Sequence, residues 1–404
     1  MGVLRGNAVV GQSGGPTAAI NATLAGVIRG AFECSDLIPT LYGMRNGIEG
    51  FLEERLVNLT DIFSDEKDIR TLELTPAAAL GSCRKKMKSP EDDPYTYEKL
   101  IEIFKKYNIR YFFYIGGNDS MDTVAKLLRY ALEQDYEMKV VGVPKTIDND
   151  LMDTDHTPGF GSAAKYVAVT MKEILRDVSV YQMKAVTIVE VMGRDAGWLT
   201  ASATLANPDL VYLPEVAFDP EAFILDIQEI QKDHPAVLVA VSEGIKFADG
   251  RYVGEGFGGR KTDAFGHVAL SGAGKVLEEL VKSKLGCKVR SIELNLPQRC
   301  AAHIASKTDI VESVGVGRAA VKAATAGKTG VMMTINREEN ADYSVFFDCA
   351  DISNIANGVK KVPAYFINEK GNGVTAECVN YLAPLIIGEV TPEYENGLPK
   401  HIII

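Results

Sequence analysis

The chain has 404 residues, 46% of them hydrophobic, and a formal net charge of −11. A single core stops growing at roughly 250 to 300 residues, so two domains are expected. The negative charge disfavours a nucleic-acid or membrane-surface role, since both need a broad surplus of Lys and Arg; anionic small molecules remain possible where basic groups converge locally.

Residues 1–10 carry Arg5 as their only basic group and run straight into a glycine loop, so no signal peptide is expected. No apolar run approaches the length of a membrane span. The six cysteines (Cys34, Cys83, Cys287, Cys300, Cys349 and Cys378) are scattered, with no Cys-x-x-Cys pair. This argues against a disulfide framework or a zinc site, and a reducing cytoplasm is the expected location.

A short apolar run ending at Val10 leads into Gly11-Gln12-Ser13-Gly14-Gly15-Pro16-Thr17, with a helix expected from about Ala18. Backbone amides and the helix dipole at such a junction favour an anion, and glycine lets it approach closely. A tight turn without a ligand is the plainer reading. The run 111–115 ends in Gly116-Gly117-Asn118-Asp119-Ser120, with a helix expected from Ser120. The run 139–143 reads as a short buried strand and ends in Pro144-Lys145-Thr146-Ile147-Asp148-Asn149-Asp150. That loop gathers two carboxylates, a hydroxyl and a lysine, a set able to take a proton from a hydroxyl. The run 185–191 ends in Met192-Gly193-Arg194, and further runs at 236–241 and 330–335 repeat the theme. The alternation is that of βαβ units, which predicts the α/β class with two doubly wound, Rossmann-like domains. Open sheets of this kind place chemistry at the carboxyl ends of their strands, so three strand ends offer polar groups to one crevice.

Segment 245–262, rich in glycine and charge, reads as a loop or insertion. Within it, Gly254-Glu255-Gly256-Phe257-Gly258-Gly259 has the dinucleotide spacing but follows a charged loop and opens no helix. Gly327-Lys328-Thr329 resembles the end of a Walker A loop, yet Lys322 occupies the position of its required glycine, and a helix cap is expected there.

Phosphoryl transfer is mostly positioning and charge neutralisation, with a base for the attacking hydroxyl, a cation over the phosphate and a metal between phosphates. Asp148 can be the base and Lys145 the cation. Asn118 and nearby carboxylates can form the metal shell, and the loop at 11–15 the phosphate cradle. Arg84, Arg194, Arg290 and Arg299 lie in or near motif-like loops, although a lone arginine is more simply a solvated surface charge.

Taken together and in order, these segments resemble the phosphofructokinases. The resemblance runs from near residue 11 to about 335. It rests on Gly-Gly-x-x-Ser at 116–120, Thr-Ile-Asp-Asn-Asp at 146–150, Gly-Phe-Gly-Ser-Ala at 159–163, Met-Gly-Arg at 192–194, Ser-Glu-Gly at 242–244, and Gln298-Arg299. It implies a phosphofructokinase fold with the active site in a cleft between a phosphate-donor domain (1–159 plus 298–350) and a fructose 6-phosphate domain (160–297 plus 351–404). Asp148 would deprotonate the sugar 1-hydroxyl, with Thr146, Ile147 and Asp150 around it. Met192, Gly193, Arg194 and Glu243 would hold the sugar, and Arg290 with Arg299 would grip its 6-phosphate. Gly14, Gly15, Arg84 and Asp119 would face the donor, with Mg²⁺ as cofactor and a homodimer or homotetramer as the assembly.

ATP-using members of the family show Gly-Gly-Asp-Gly-Ser and Pro-Gly-Thr-Ile-Asp-Asn-Asp. Here Asp119 and Lys145 replace the two discriminating glycines, as is typical of the pyrophosphate-dependent branch. A carboxylate at position 119 puts negative charge where the α-phosphate of ATP would lie. Three departures from the family pattern stand out. Asn118 takes the place of the first acid of Gly-Gly-Asp, which leaves metal binding there either direct or through water. Ala185, beside Lys184, stands where the family has an arginine donated across a subunit interface. His267 falls in a segment with no secure counterpart. An ATP-dependent 6-phosphofructokinase and a non-catalytic regulatory subunit of the same fold are the rival readings.

Overall fold

The computed structural model describes residues 4–255, 272–339, 342–355 and 358–404. Residues 256–262 of the glycine-rich segment, and His267, lie outside the described residues. A seven-stranded sheet is built from β1 (Asn7–Gln12), β2 (Leu41–Met44), β3 (Leu56–Asn58), β4 (Ile109–Gly116), β5 (Lys139–Pro144), β10 (Val331–Arg337) and β11 (Val345–Asp351). A second, four-stranded sheet holds β6 (Ala185–Val191), β7 (Leu210–Tyr212), β8 (Ala236–Ser242) and β9 (Lys288–Glu293). The strand orders are β11-β10-β5-β4-β1-β2-β3 and β7-β8-β6-β9.

Every pairing of the small sheet is parallel, as are those among β2, β1, β4, β5 and β10. Within the large sheet, the edges β3 and β11 run antiparallel. Parallel strands are covered on both faces and so read as unbroken apolar runs. In β4, Phe112 and Phe113 point into opposite cores: Phe112 joins Val9, Phe104 and Tyr114, while Phe113 joins Val10, Leu24 and Val316.

Helices α1 (Ile20–Glu33), α2 (Asn118–Glu133) and α6 (Lys307–Thr325) flank the large sheet, and α4 (Pro220–Asp233) and α5 (Ala273–Leu285) flank the small one. Helix α3 (Phe160–Val178) links them and packs in the second domain's core through Phe160, Val167 and Met171. Its amino terminus is capped across the molecule, because Asp309 of α6 accepts hydrogen bonds from the backbone of Gly159 and Ser162, both at 2.9 Å.

Two sequence expectations change here. Helix α2 opens at Asn118 instead of Ser120, so Asn118 and Asp119 sit in its first turn. The carboxyl-terminal segment 351–404 is shared between the two sheets instead of lying with the second alone. Cys378 and Leu382 join the second core, but Ile352 and Ile355 pack beneath the large sheet, and Ile402 and Ile404 pack on its other face. The six cysteines are free thiols, and among the described residues no helix is long and apolar enough to cross a membrane.

Candidate active site

The carboxyl ends of β1, β4 and β5 face those of β6 and β8 across a cleft of about 560 Å³. Its walls carry Gly14, Gly15 and Arg84, then Asn118, Asp119, Lys145, Thr146, Ile147, Asp148 and Asp150 from the large sheet's side; Met192, Arg194, Glu243 and Arg299 come from the opposite side.

The cationic end is stitched together by buried polar groups. Gln12 donates to Asn21 Oδ1 at 2.8 Å and accepts from the Leu80 amide at 2.9 Å, while Asn21 donates to the Thr75 carbonyl at 2.8 Å. These bonds fix the loop that carries Arg84. The Gly14 amide donates to the Cys83 carbonyl at 3.1 Å, and Ser82 Oγ donates back to the Gly14 carbonyl at 2.6 Å. Gly14 takes φ +77°, and a Cβ there would stand 3.3 Å from Lys145 Nζ, so glycine suits both its backbone and the close approach of the ammonium.

Lys145 is 3% exposed and donates to the Gly15 carbonyl at 2.7 Å. Burial lowers its pKa to about 8 against the raising influence of Asp148 and Asp150. The Arg299 and Arg84 guanidiniums lie 3.5 and 3.9 Å from the point a Cβ would occupy on Gly15. Burial, and then the Arg84 charge, hold Arg299 below the usual guanidinium range. Three cations drawn around two glycines form a preformed seat for a polyanion.

Beyond the cations stands the carboxylate loop. Thr146 Oγ1 accepts from the Asp148 amide at 3.0 Å. Burial raises the Asp148 pKa, opposed mainly by Lys145. Burial and the Asp148 charge push Asp150 up to about 7, and burial does the same to Glu243. Asn118 donates to Asp150 Oδ2 at 3.4 Å, and its own buried Oδ1 has no hydrogen-bond partner. An orphaned amide oxygen beside a carboxylate suits a hard cation. No group of three or more His, Cys, Asp or Glu residues among those described could cage a metal alone, so an ion here would complete its shell with water and substrate oxygens.

On the opposite wall the Gly193 amide donates to Glu243 Oε1 at 3.2 Å, and Gly193 itself, at φ +134°, turns the chain so that Met192 and Arg194 face the cleft. The Met192 amide is held by Gln298 Oε1 at 3.1 Å, and Arg194 Nε bonds Asp195 Oδ2 at 2.9 Å. Ile147 lines the cleft, but its side chain is anchored in the second core.

The structure does not bring Arg290 to this cleft. It pairs with Thr187 in mid-strand, four positions before Val191 ends β6, and lines a separate surface hollow with Tyr181, Met183 and Lys288. The nine-residue spacing from Arg299 therefore spans a strand and a loop, and cannot close one grip within one chain. Asp119 and Lys145 do not pair with each other, because Asp119 meets Lys86 at 3.7 Å. Ser13, Pro16 and Thr17 of the expected anion loop line the cleft, whereas sequence reasoning missed Asp195, Gly358 and Val359, also on its wall. Asp195, an acid directly after Arg194, was the one with a local signal.

Two facing parallel sheets, a polyanion seat and a carboxylate loop at their strand ends define a phosphoryl-transfer enzyme of the α/β class. Residues 7–324 match the phosphofructokinase family, and the chain belongs to it. It is 42% identical to a pyrophosphate–fructose 6-phosphate 1-phosphotransferase of Methylococcus capsulatus, over 98% of this chain and 96% of that protein. Among solved structures, it is similar to a pyrophosphate-dependent phosphofructokinase of Nitrosospira multiformis, with a TM-score of 0.89 and 41% identity over 98% and 95% of the two chains. Another from Marinobacter aquaeolei gives 0.87 and 38% over 98% and 95%.

Proposed function

We propose that this chain is a pyrophosphate-dependent 6-phosphofructokinase that reversibly transfers phosphate from pyrophosphate to the 1-hydroxyl of fructose 6-phosphate. The observation that carries this reading is the buried Lys145 ammonium on the Gly15 carbonyl, between the arginine-flanked glycines and Asp148. It marks a site for a short polyanion whose transferred phosphate ends near the carboxylate. The relatives named above point to the same donor.

In the forward direction the sugar 1-oxygen attacks the near phosphorus of pyrophosphate. Asp148 takes the hydroxyl proton, the bridging P–O bond breaks, and inorganic phosphate leaves against Lys145 and Arg84. Arg194 stabilises charge on the phosphoryl group in flight. Glu243 and Met192 orient the sugar, and Arg299 neutralises phosphate charge beside Arg84. Asn118 and Asp150 would hold Mg²⁺, which when bound supplies charge neutralisation between the phosphates. Asp119, in the first turn of α2, places a carboxylate at the positive helix end where a longer phosphate chain would otherwise settle.

The donor would rest on the large-sheet domain and the sugar on the small-sheet domain. The proposal includes a cytoplasmic homodimer or homotetramer. Exposed Val180, Tyr181 and Met183 near Arg290 offer an apolar contact face, and Arg290 could then grip a phosphate only in a neighbouring subunit's cleft. Phosphorus NMR of enzyme mixed with Mg²⁺, pyrophosphate and fructose 6-phosphate tests the chemistry. The pyrophosphate signal should give way to equal amounts of inorganic phosphate and a new sugar 1-phosphate ester. Unchanged pyrophosphate would refute the proposal.

A further inference from the structure

Lys360 lies one residue beyond Val359, in an irregular carboxyl-terminal segment that no motif marks. Its backbone amide donates to the Asp150 carbonyl at 2.8 Å, and its carbonyl accepts from Trp198 Nε1 at 2.8 Å. The ammonium donates to the carbonyls of Thr154 and Asp155 at 2.9 and 2.8 Å and reaches Asn149 Oδ1 at 3.3 Å. It lies 5.3 Å from the centre of the Trp198 ring. Trp198 is rooted in the second domain's core, whereas Asn149 to Asp155 continue the carboxylate loop of the first. Next to this contact, Tyr381 accepts from Asn149 Nδ2 at 3.0 Å and donates to the Asp155 carbonyl at 2.6 Å.

We infer that Lys360 is a positioning residue for the catalytic loop, pinning residues 149–155 to Trp198 so that the Asp150 carboxylate faces the cleft. A largely buried ammonium is costly unless its hydrogen bonds are needed, and a methionine would fill the same space at lower desolvation cost. What methionine cannot do is satisfy two loop carbonyls and an amide oxygen at once. Asn149 holds φ +54°, a left-handed conformation for a non-glycine residue, and both ends of its side chain are tied down, by Lys360 and by Tyr381. Without the Lys360 tie the turn between the two carboxylates loses one of the groups that hold it in that conformation. A displacement of about 1 Å in a reacting group costs on the order of 10²-fold in rate.

The inference rests on the reading of this loop as catalytic, and a mutant cycle separates the two. Lys360→Met, Asp150→Asn and the double variant are compared with wild type for kcat and for both KM values. Lys360→Met should lower kcat at least tenfold with KM values within threefold, and the same change on top of Asp150→Asn should cost less than threefold. Equal, independent losses in both backgrounds, or an unchanged kcat in Lys360→Met, would overturn the inference. If Asp150→Asn itself left kcat intact, the catalytic reading of the loop would fall instead, and this inference with it. Trp198 is the only tryptophan in the chain, so its emission reads the pin without turnover. Adding fructose 6-phosphate should alter wild-type emission but not that of Lys360→Met, with calorimetry showing that the variant still binds the sugar. An equal emission change in both proteins would overturn the pin. Should Lys360→Met fail to fold, Trp198→Phe removes the indole N–H on the Lys360 carbonyl and keeps an aromatic ring. It should lower kcat at least threefold, and a loss of the same size in the Asp150→Asn background would overturn the inference.

Discussion

The alkaline limit of activity is assigned to Lys145. Burial holds its pKa near 8, well below an ordinary lysine, although Asp148 and Asp150 pull it upward. Such a lysine is about 91% charged at pH 7 and about 9% charged at pH 9, so kcat/KM for pyrophosphate should fall roughly tenfold over that interval from this group alone. On the acid side, Asp148 is raised and Asp150 lies near 7, so activity rises with pH as these carboxyls lose their protons. The two limbs give a narrow bell centred between about pH 7 and 8. Lys145→Met should reduce kcat/KM by about 10² to 10³ at pH 7.5, the usual cost of removing a buried group that stabilises developing charge. It should also abolish the alkaline limb and move the acid limb upward, because Lys145 is the main charge that lowers the Asp148 pKa. The assay is initial rate against pH from 6 to 10, with both proteins in the same buffers so that ionisation of pyrophosphate itself divides out. An alkaline limb of unchanged midpoint in the variant would refute the assignment and shift it to Lys360, whose pKa burial also lowers to about 8.

Asp148→Asn should lower kcat by about two to four orders of magnitude while calorimetry still registers sugar binding; near-normal turnover would remove Asp148 as the base. Asp119→Gly should strengthen competition by ATP against pyrophosphate by about tenfold or more, since it removes a like charge from the donor path; an unchanged inhibition constant would count against the exclusion model. Away from the cleft, His156 is buried between Asp155 and Glu312, at 2.8 and 2.6 Å. Burial opposes its charge, but those two carboxylates outweigh it and carry the pKa up to about 9. The folded value exceeds the unfolded one, so the stabilisation is fully present below about pH 6.5 and is lost as pH rises through 9. Denaturant melts of wild type and His156→Gln should differ by on the order of 3 kcal/mol at pH 6 and converge near pH 9.5; a pH-independent gap would contradict the linkage.

The strands that place the site were legible because they are buried on both faces: runs 111–115, 139–143, 185–191 and 236–241 fall within β4, β5, β6 and β8. By contrast, β9 and β11 mix half-buried with exposed positions and carry charge, so no continuous apolar run announces them. That is why Arg290 read as a loop residue when it stands in an edge strand. The loops carrying Gly14, Asp148 and Arg194 were visible as polar groups at strand ends. The partner of Asp119, the meeting of Arg84 with Arg299, and the reach of Lys360 to Asn149 were not, because each depends on residues brought together from distant parts of the chain.

The most direct test of the account compares pyrophosphate and ATP as donors in otherwise identical initial-rate assays with Mg²⁺ and fructose 6-phosphate. The account predicts fructose 1,6-bisphosphate formation with pyrophosphate and none above background with ATP. Turnover with ATP alone would keep the fold and the base but contradict the donor assignment built on Asp119 and Lys145.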